Sequence, residues 1–124
     1  MSWKDIGKGT LIWESTLSKM FEETAKLHGD LPAQMYKGGV YDRSLSKTAF
    51  PPANPGEFAT LDYATLNSIV QYVATGLRNI GLRKGSKVAI FSNTRMEWAQ
   101  SDLAILSAGG VTVTIYPNSS PSMI

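Results

Sequence analysis

The chain has no cysteine at all, which removes a disulfide framework, a thiolate nucleophile and a Cys-ligated metal in one step. A reducing compartment is compatible with that absence. Histidine is nearly missing too, with His28 standing alone, so no pair of imidazoles exists to build a metal or acid–base site. No apolar run approaches the roughly 20 residues of a membrane-spanning helix. The start, Met1-Ser2-Trp3-Lys4-Asp5, lacks the apolar stretch of a signal peptide. These absences point to a soluble, cytoplasmic protein. The 12 basic residues are scattered and the net charge is only +2, so neither a nucleic-acid footprint nor a polybasic membrane tether is indicated.

What is present is globular. Apolar residues make up 43% of the 124 and charged residues 18%, a balance able to build a core and unlike that of disordered chains. Residues 1–15 show no period and form an N-terminal arm carrying Trp3 and Trp13. From Thr16 the spacing predicts a helix, with Leu17, Met20, Phe21 and Ala25 on one side, Glu22 and Glu23 on the other, and Gly29 as its stop. His28 falls in its last turn, where a positive charge suits the helix dipole. We prefer that reading to a catalytic or metal role.

Pro32 to Tyr36 reads as a short strand. Lys37 to Phe58 reads as a surface excursion with room for a small hairpin, punctuated by Gly38-Gly39, Pro51-Pro52 and Asn54-Pro55-Gly56. Next, Leu66, Ile69, Val70, Val73, Ala74, Leu77 and Ile80 form one apolar stripe, capped by Asp62 and ended by Gly81. Val88-Ala89-Ile90-Phe91 is apolar without alternation, as a parallel strand buried on both faces would be. Thr94 and Glu97 have the spacing of a capping box, opening a helix through Trp98, Leu103 and Leu106 to Gly109-Gly110. Val111 to Ile115 is β-branched throughout and reads as a second strand. Strand, helix, strand gives a right-handed βαβ unit, hence an α/β architecture with a parallel sheet and covering helices. Ser120 and Pro121 look like the cap and first residue of one more helix. With two strong strands the sheet is incomplete, so more of the domain is expected beyond residue 124.

Searches for chemistry return little. Gly7-Lys8-Gly9-Thr10 lacks the preceding strand and the Gly-Lys-Ser/Thr ending of a phosphate loop. Gly81-Leu82-Arg83-Lys84-Gly85 lies between helix and strand, the reverse of the order that aims amides at phosphate. Ser119, Ser120 and Ser122 sit in no nucleophile elbow, and capping accounts for them. Glu22-Glu23 is a solvated pair, and Trp98 and Tyr116 read as anchors. No catalytic, cofactor-binding or metal-binding residue is assigned.

Order and spacing supply what single motifs do not. The stretch Phe58-Ala59-Thr60-Leu61-Asp62-Tyr63-Ala64-Thr65-Leu66-Asn67 resembles the start of the second helix of adenylate-forming enzymes. Gly81-Leu82-Arg83-Lys84-Gly85-Ser86-Lys87-Val88-Ala89-Ile90 resembles their "GL-KGD-VAI" segment, and Asn93-Thr94-Arg95-Met96-Glu97-Trp98 their "N-RPEW" segment. Gly109-Gly110-Val111, continuing to Ile115-Tyr116-Pro117-Asn118-Ser119-Ser120-Pro121, is similar to "GAV…IYPTSSP" of the long-chain acyl-CoA synthetase branch. The opening helix and His28-Gly29-Asp30-Leu31-Pro32-Ala33 fit the same pattern. Departures fall at caps and loops: Thr65 for an acidic residue, Met96 for proline, Asn118 for threonine.

The resemblance spans about residues 16–124. It implies the N-terminal part of the AMP-binding large domain of an AMP-forming long-chain fatty acid–CoA ligase, stopping before the phosphate loop. Such ligases join a fatty acid to ATP, release pyrophosphate, and pass the acyl group from its adenylate to CoA with Mg2+ present. The family's phosphate loop and its later acidic, Arg and Lys motifs have no counterpart here, so the chain alone is expected to be inactive. ATP, Mg2+ and CoA belong to the complete enzyme, whose remainder would complete the sheet. Two alternatives stand beside this: a stand-alone interaction module pairing with a synthetase subunit, and a non-functional product of a truncated gene. Trp3, Trp13 and nearby lysines leave peripheral membrane contact open, although packing of the arm is preferred.

Overall fold

The computed structural model describes residues 16–41 and 51–123. The arm with Trp3, Trp13 and Gly7-Lys8-Gly9-Thr10 lies outside the described residues, as do residues 42–50 of the predicted excursion. In order the elements are α1 (Leu17–Leu27), β1 (Pro32–Lys37), β2 (Phe58–Asp62), α2 (Tyr63–Asn79), β3 (Lys87–Phe91), α3 (Met96–Ser107) and β4 (Val111–Ile115). A 3-10 turn over Pro121–Met123 follows.

Thr16 starts α1 as expected, its hydroxyl accepting the Lys19 amide at 3.2 Å. The apolar side of α1 then divides. Phe21 and Ala25 are buried, whereas Leu17 and Met20 are exposed, because α1 packs against α2 and α3 along one narrow line. β1 and β2 form an antiparallel pair with Met35 opposite Thr60 and Tyr36 opposite Ala59. β2 corrects the sequence reading, which treated Phe58–Leu61 only as the approach to α2. Its inward Leu61 is 1% exposed. The pair closes on backbone at Gly38, where an added Cβ would lie 2.1 Å from the Asn54 carbonyl oxygen and 2.5 Å from that of Ala53.

α2 organises the core. Asp62 caps it, accepting the Thr65 amide at 2.7 Å, and Gly81 ends it at φ 110°, a left-handed conformation suited to glycine. Leu66, Val70 and Ala74 sink into a cluster with Phe21, Leu82, Ala104 and Ala108. Val73 and Ile80, equal members of the stripe in sequence, lie on its open flank. α2 and α3 are tied at their ends by Arg78, whose Nη2 donates to the Ser107 carbonyl at 2.7 Å.

β3 and β4 pair in parallel, Lys87 opposite Val111 through Phe91 opposite Ile115, with α3 as the connection. The expectation of a strand buried on both faces fails for β3. Ile90 is buried, but Ala89 and Phe91 are exposed, since among the described elements β3 touches only β4 and α3. The result is an α/β unit of two small two-stranded sheets with helices between them. No helix among the described residues is long and apolar enough to cross a membrane.

Candidate functional site

A parallel pair places both carboxyl ends on one side, and open α/β sheets bind ligands just beyond those ends. Phe91 and Ile115 are in register at that rim. From it emerge two loops, Ser92-Asn93-Thr94-Arg95 and Tyr116-Pro117-Asn118-Ser119-Ser120. The second turns back on itself, the Ser119 amide donating to the Tyr116 carbonyl at 2.9 Å. Ser120 and Ser122 share a hydrogen bond between hydroxyls at 2.9 Å ahead of Pro121. Pro121 takes the first position of the 3-10 turn, as expected.

The first loop is anchored differently from the sequence reading. Thr94 does not cap α3. The helix begins one residue later, with Arg95 at the cap position and no side-chain cap hydrogen bond. Glu97 is held instead by Arg95, whose Nε and Nη2 donate to its two carboxylate oxygens at 2.8 Å each. A planar guanidinium gripping both oxygens outcompetes a single amide for the same carboxylate. Those hydrogen bonds also hold the Arg95 pKa above its ordinary value. The guanidinium lies 4.0 Å over the Tyr41 ring, a cation–π contact joining the loop to the end of the β1 region. Beneath it, buried Gln100 donates to Gln34 at 2.9 Å, and Gln34 donates to the Met96 carbonyl at 3.2 Å. The β3–α3 loop is therefore pinned from both sides.

Hydroxyls, amides and backbone groups dominate this rim; Ser92 to Thr94 and Tyr116 to Ser122 include no carboxylate, imidazole or ammonium. Such groups can orient a ligand by hydrogen bonding but cannot move a proton at neutral pH. The other residues weighed in the sequence lie elsewhere. His28 closes α1, its amide donating to the Thr24 carbonyl at 2.9 Å. Glu22 and Glu23 both pair with Lys26, at 3.2 and 2.7 Å. Among the described residues no three His, Cys, Asp or Glu side chains gather where they could hold a metal ion. An open hollow of about 180 Å³ beside Met35, Val40 and Met96 has mostly apolar walls and is bordered by Lys37 and Arg95.

Comparison with known proteins decides what this partial rim belongs to. A family model described as AMP-binding enzyme matches residues 21–124. The chain belongs to that family. A long-chain-fatty-acid–CoA ligase of Mycobacterium bovis, FadD15, is 47% identical over 55 residues, which is 44% of this chain and 9% of the ligase. The putative acyl-CoA synthetase YngI of Bacillus subtilis is 30% identical over 104 residues, 84% of this chain and 16% of its own length. The chain thus spans less than a fifth of these relatives. Among solved structures, the N-terminal subdomain of Klebsiella oxytoca NpsA superposes with a TM-score of 0.66 at 22% identity, over 88% of this chain and 23% of that one. A fatty acyl-adenylate ligase from L. pneumophila, solved with acyl adenylate and pyrophosphate, gives 0.63 at 19%, over 82% of this chain and 15% of that one. At those identities the likeness establishes the fold, the N-terminal portion of an adenylate-forming enzyme.

Proposed function

We propose that the chain is the N-terminal part of the large domain of a long-chain fatty acid–CoA ligase and has no ligase activity by itself. The observation carrying this is the 55-residue segment 47% identical to a long-chain-fatty-acid–CoA ligase. The Ile115-Tyr116-Pro117-Asn118-Ser119-Ser120-Pro121 run, with its resemblance to that branch, supports it. In the complete ligase the fatty acid carboxylate attacks the α-phosphorus of ATP, expelling pyrophosphate, and the CoA thiol then displaces AMP. This segment's part is scaffolding. The Arg95–Glu97–Tyr41 clamp and the Gln34–Gln100 link set the height of the loops at the strand ends. ATP, Mg2+, CoA and the acyl chain engage groups supplied by the remaining domain.

The test is ATP–pyrophosphate exchange with a long-chain fatty acid, run on the purified 124-residue chain. No exchange above background is expected. Measurable exchange would refute the scaffold reading, because it would require a phosphate-handling site within these residues.

A further inference from the structure

We propose that the buried amide pair Gln34–Gln100 decides where the bulge in β1 falls, holding it at Ala33 against a second position at Met35. The contacts involved lie within the described residues, and none depends on the ligase reading.

β1 is anchored at both ends. At one, Pro32 lies opposite Asp62, and the Tyr63 amide donates to the Leu31 carbonyl at 3.1 Å. At the other, the Gly38 amide donates to the Glu57 carbonyl at 2.8 Å, and the Tyr36 hydroxyl donates to the Pro51 carbonyl. Between Pro32 and Tyr36, β1 supplies Ala33, Gln34 and Met35, whereas β2 supplies Leu61 and Thr60. A residue is left over, so a bulge is obligatory, but the anchors leave its position open. The structure places it at Ala33, with Gln34 opposite Leu61 and Met35 opposite Thr60.

Hydrophobicity favours a different choice. Residues opposite one another in an antiparallel pair share a face, and Leu61, 1% exposed, marks the inner one. Gln34 is thus turned inward, while Met35 points out and is 63% exposed. A bulge at Met35 would pair Ala33 with Leu61 and Gln34 with Thr60. Both anchors would stay in place, the Gln34 amide would turn to solvent, and Met35 would be re-aimed toward the inner face beside Tyr36. Against that stands the amide pair. Gln100 is 4% exposed and donates to Gln34 at 2.9 Å, and Gln34 donates in turn to the Met96 carbonyl at 3.2 Å. Moving the bulge would strand the Gln100 amide, and an orphaned buried donor costs more than an ordinary hydrogen bond contributes. The pair therefore specifies one arrangement of β1 more than it adds stability. Its output is positional: Gln34 holds the carbonyl of the first α3 residue, and with it the loop over residues 92–95.

The chain has no cysteine, so Met35→Cys introduces a single thiol as reporter. Its rate of reaction with a maleimide is measured beside far-UV circular dichroism in three forms: alone, with Gln100→Leu, and with Gln34→Leu and Gln100→Leu together. Alone, the thiol is expected to react as an exposed one. With Gln100→Leu it should become protected at unchanged circular dichroism. Its rate should fall by on the order of tenfold, the shift that one orphaned buried amide produces. Loosening or unfolding cannot protect an exposed thiol, so protection reports migration of the bulge. The form with both leucines gives position 34 an apolar reason to face inward and should restore the fast rate. Unchanged reactivity with Gln100→Leu would overturn the proposal, as would protection that persists with both leucines. So would loss of circular dichroism without protection, which would reduce the pair to an ordinary stabilising contact.

Discussion

Val70 and Val73 look alike in sequence, and the fold separates them. Both lie on the apolar stripe of α2, yet Val70 is 0% exposed and Val73 39% exposed. Val70→Ala removes two methyl carbons from the core cluster, about 1.6 kcal/mol at roughly 0.8 kcal/mol per buried carbon. A residual cavity adds to that, because its neighbours Leu66, Ala74 and Ala104 cannot all close in. Alanine's better helix propensity returns about 0.5 kcal/mol, leaving a net loss of about 2 kcal/mol. At Val73 the transfer loss is about 1 kcal/mol, water fills the space, and the same propensity gain leaves about 0.5 kcal/mol. Propensity is common to both sites and cancels in the difference of about 1.5 kcal/mol. Urea unfolding followed by circular dichroism, with unchanged slope, measures it directly. Equal losses at the two positions would refute the placement of α2 against α3.

Other residues give independent checks. Arg95→Ala should destabilise by about 1 kcal/mol, and a double-mutant cycle with Glu97→Ala should return a coupling of about 0.5–1 kcal/mol, since both side chains are roughly one quarter exposed. Thr94→Ala, by contrast, should be nearly silent, because Thr94 does not cap α3. Gly38→Ala should cost about 1–3 kcal/mol by driving a Cβ into two backbone carbonyls, read as a fall in melting temperature. The hydrogen bond from the Thr65 amide holds the Asp62 carboxyl below the usual carboxylate range. Its folded pKa is thus depressed, so its stabilisation is fully present above the unfolded value of 3.8 and is lost as pH falls through the folded one. Asp62→Asn should keep the cap and flatten that acid limb in a pH series of unfolding curves.

Much of the fold was legible because local signals agreed with it. Thr16 and Asp62 cap the helices they were expected to cap, Gly81 ends α2, and the runs at Val88 and Val111 are strands of one parallel pair. Two of the misreadings depended on a partner distant in sequence, and the third on a local competition. Phe58–Asp62 is a strand because β1 lies beside it, with Lys37 opposite Phe58, and five residues against a helix start carry little periodicity. The capping box lost Glu97 to Arg95, a competition settled by geometry that spacing does not reveal. β3 has an open face because, among the described elements, α3 is the one helix that covers it, which composition alone cannot register. At the rim, the loops after β3 and β4 were recognisable by resemblance. The Arg95–Tyr41 contact and the Gln34–Gln100 link needed the fold to bring the β1 region and α3 together.

The central claim is that these residues form the scaffold of an AMP-binding ligase and that the chemistry resides outside them. The most direct measurement is a chimera in which this chain replaces the matching segment of Mycobacterium bovis FadD15, assayed by ATP–pyrophosphate exchange with a long-chain fatty acid. Exchange by the chimera, against none by the 124-residue chain or by FadD15 lacking that segment, is the predicted result. A folded chimera without exchange, or full exchange by FadD15 lacking the segment, would contradict the account.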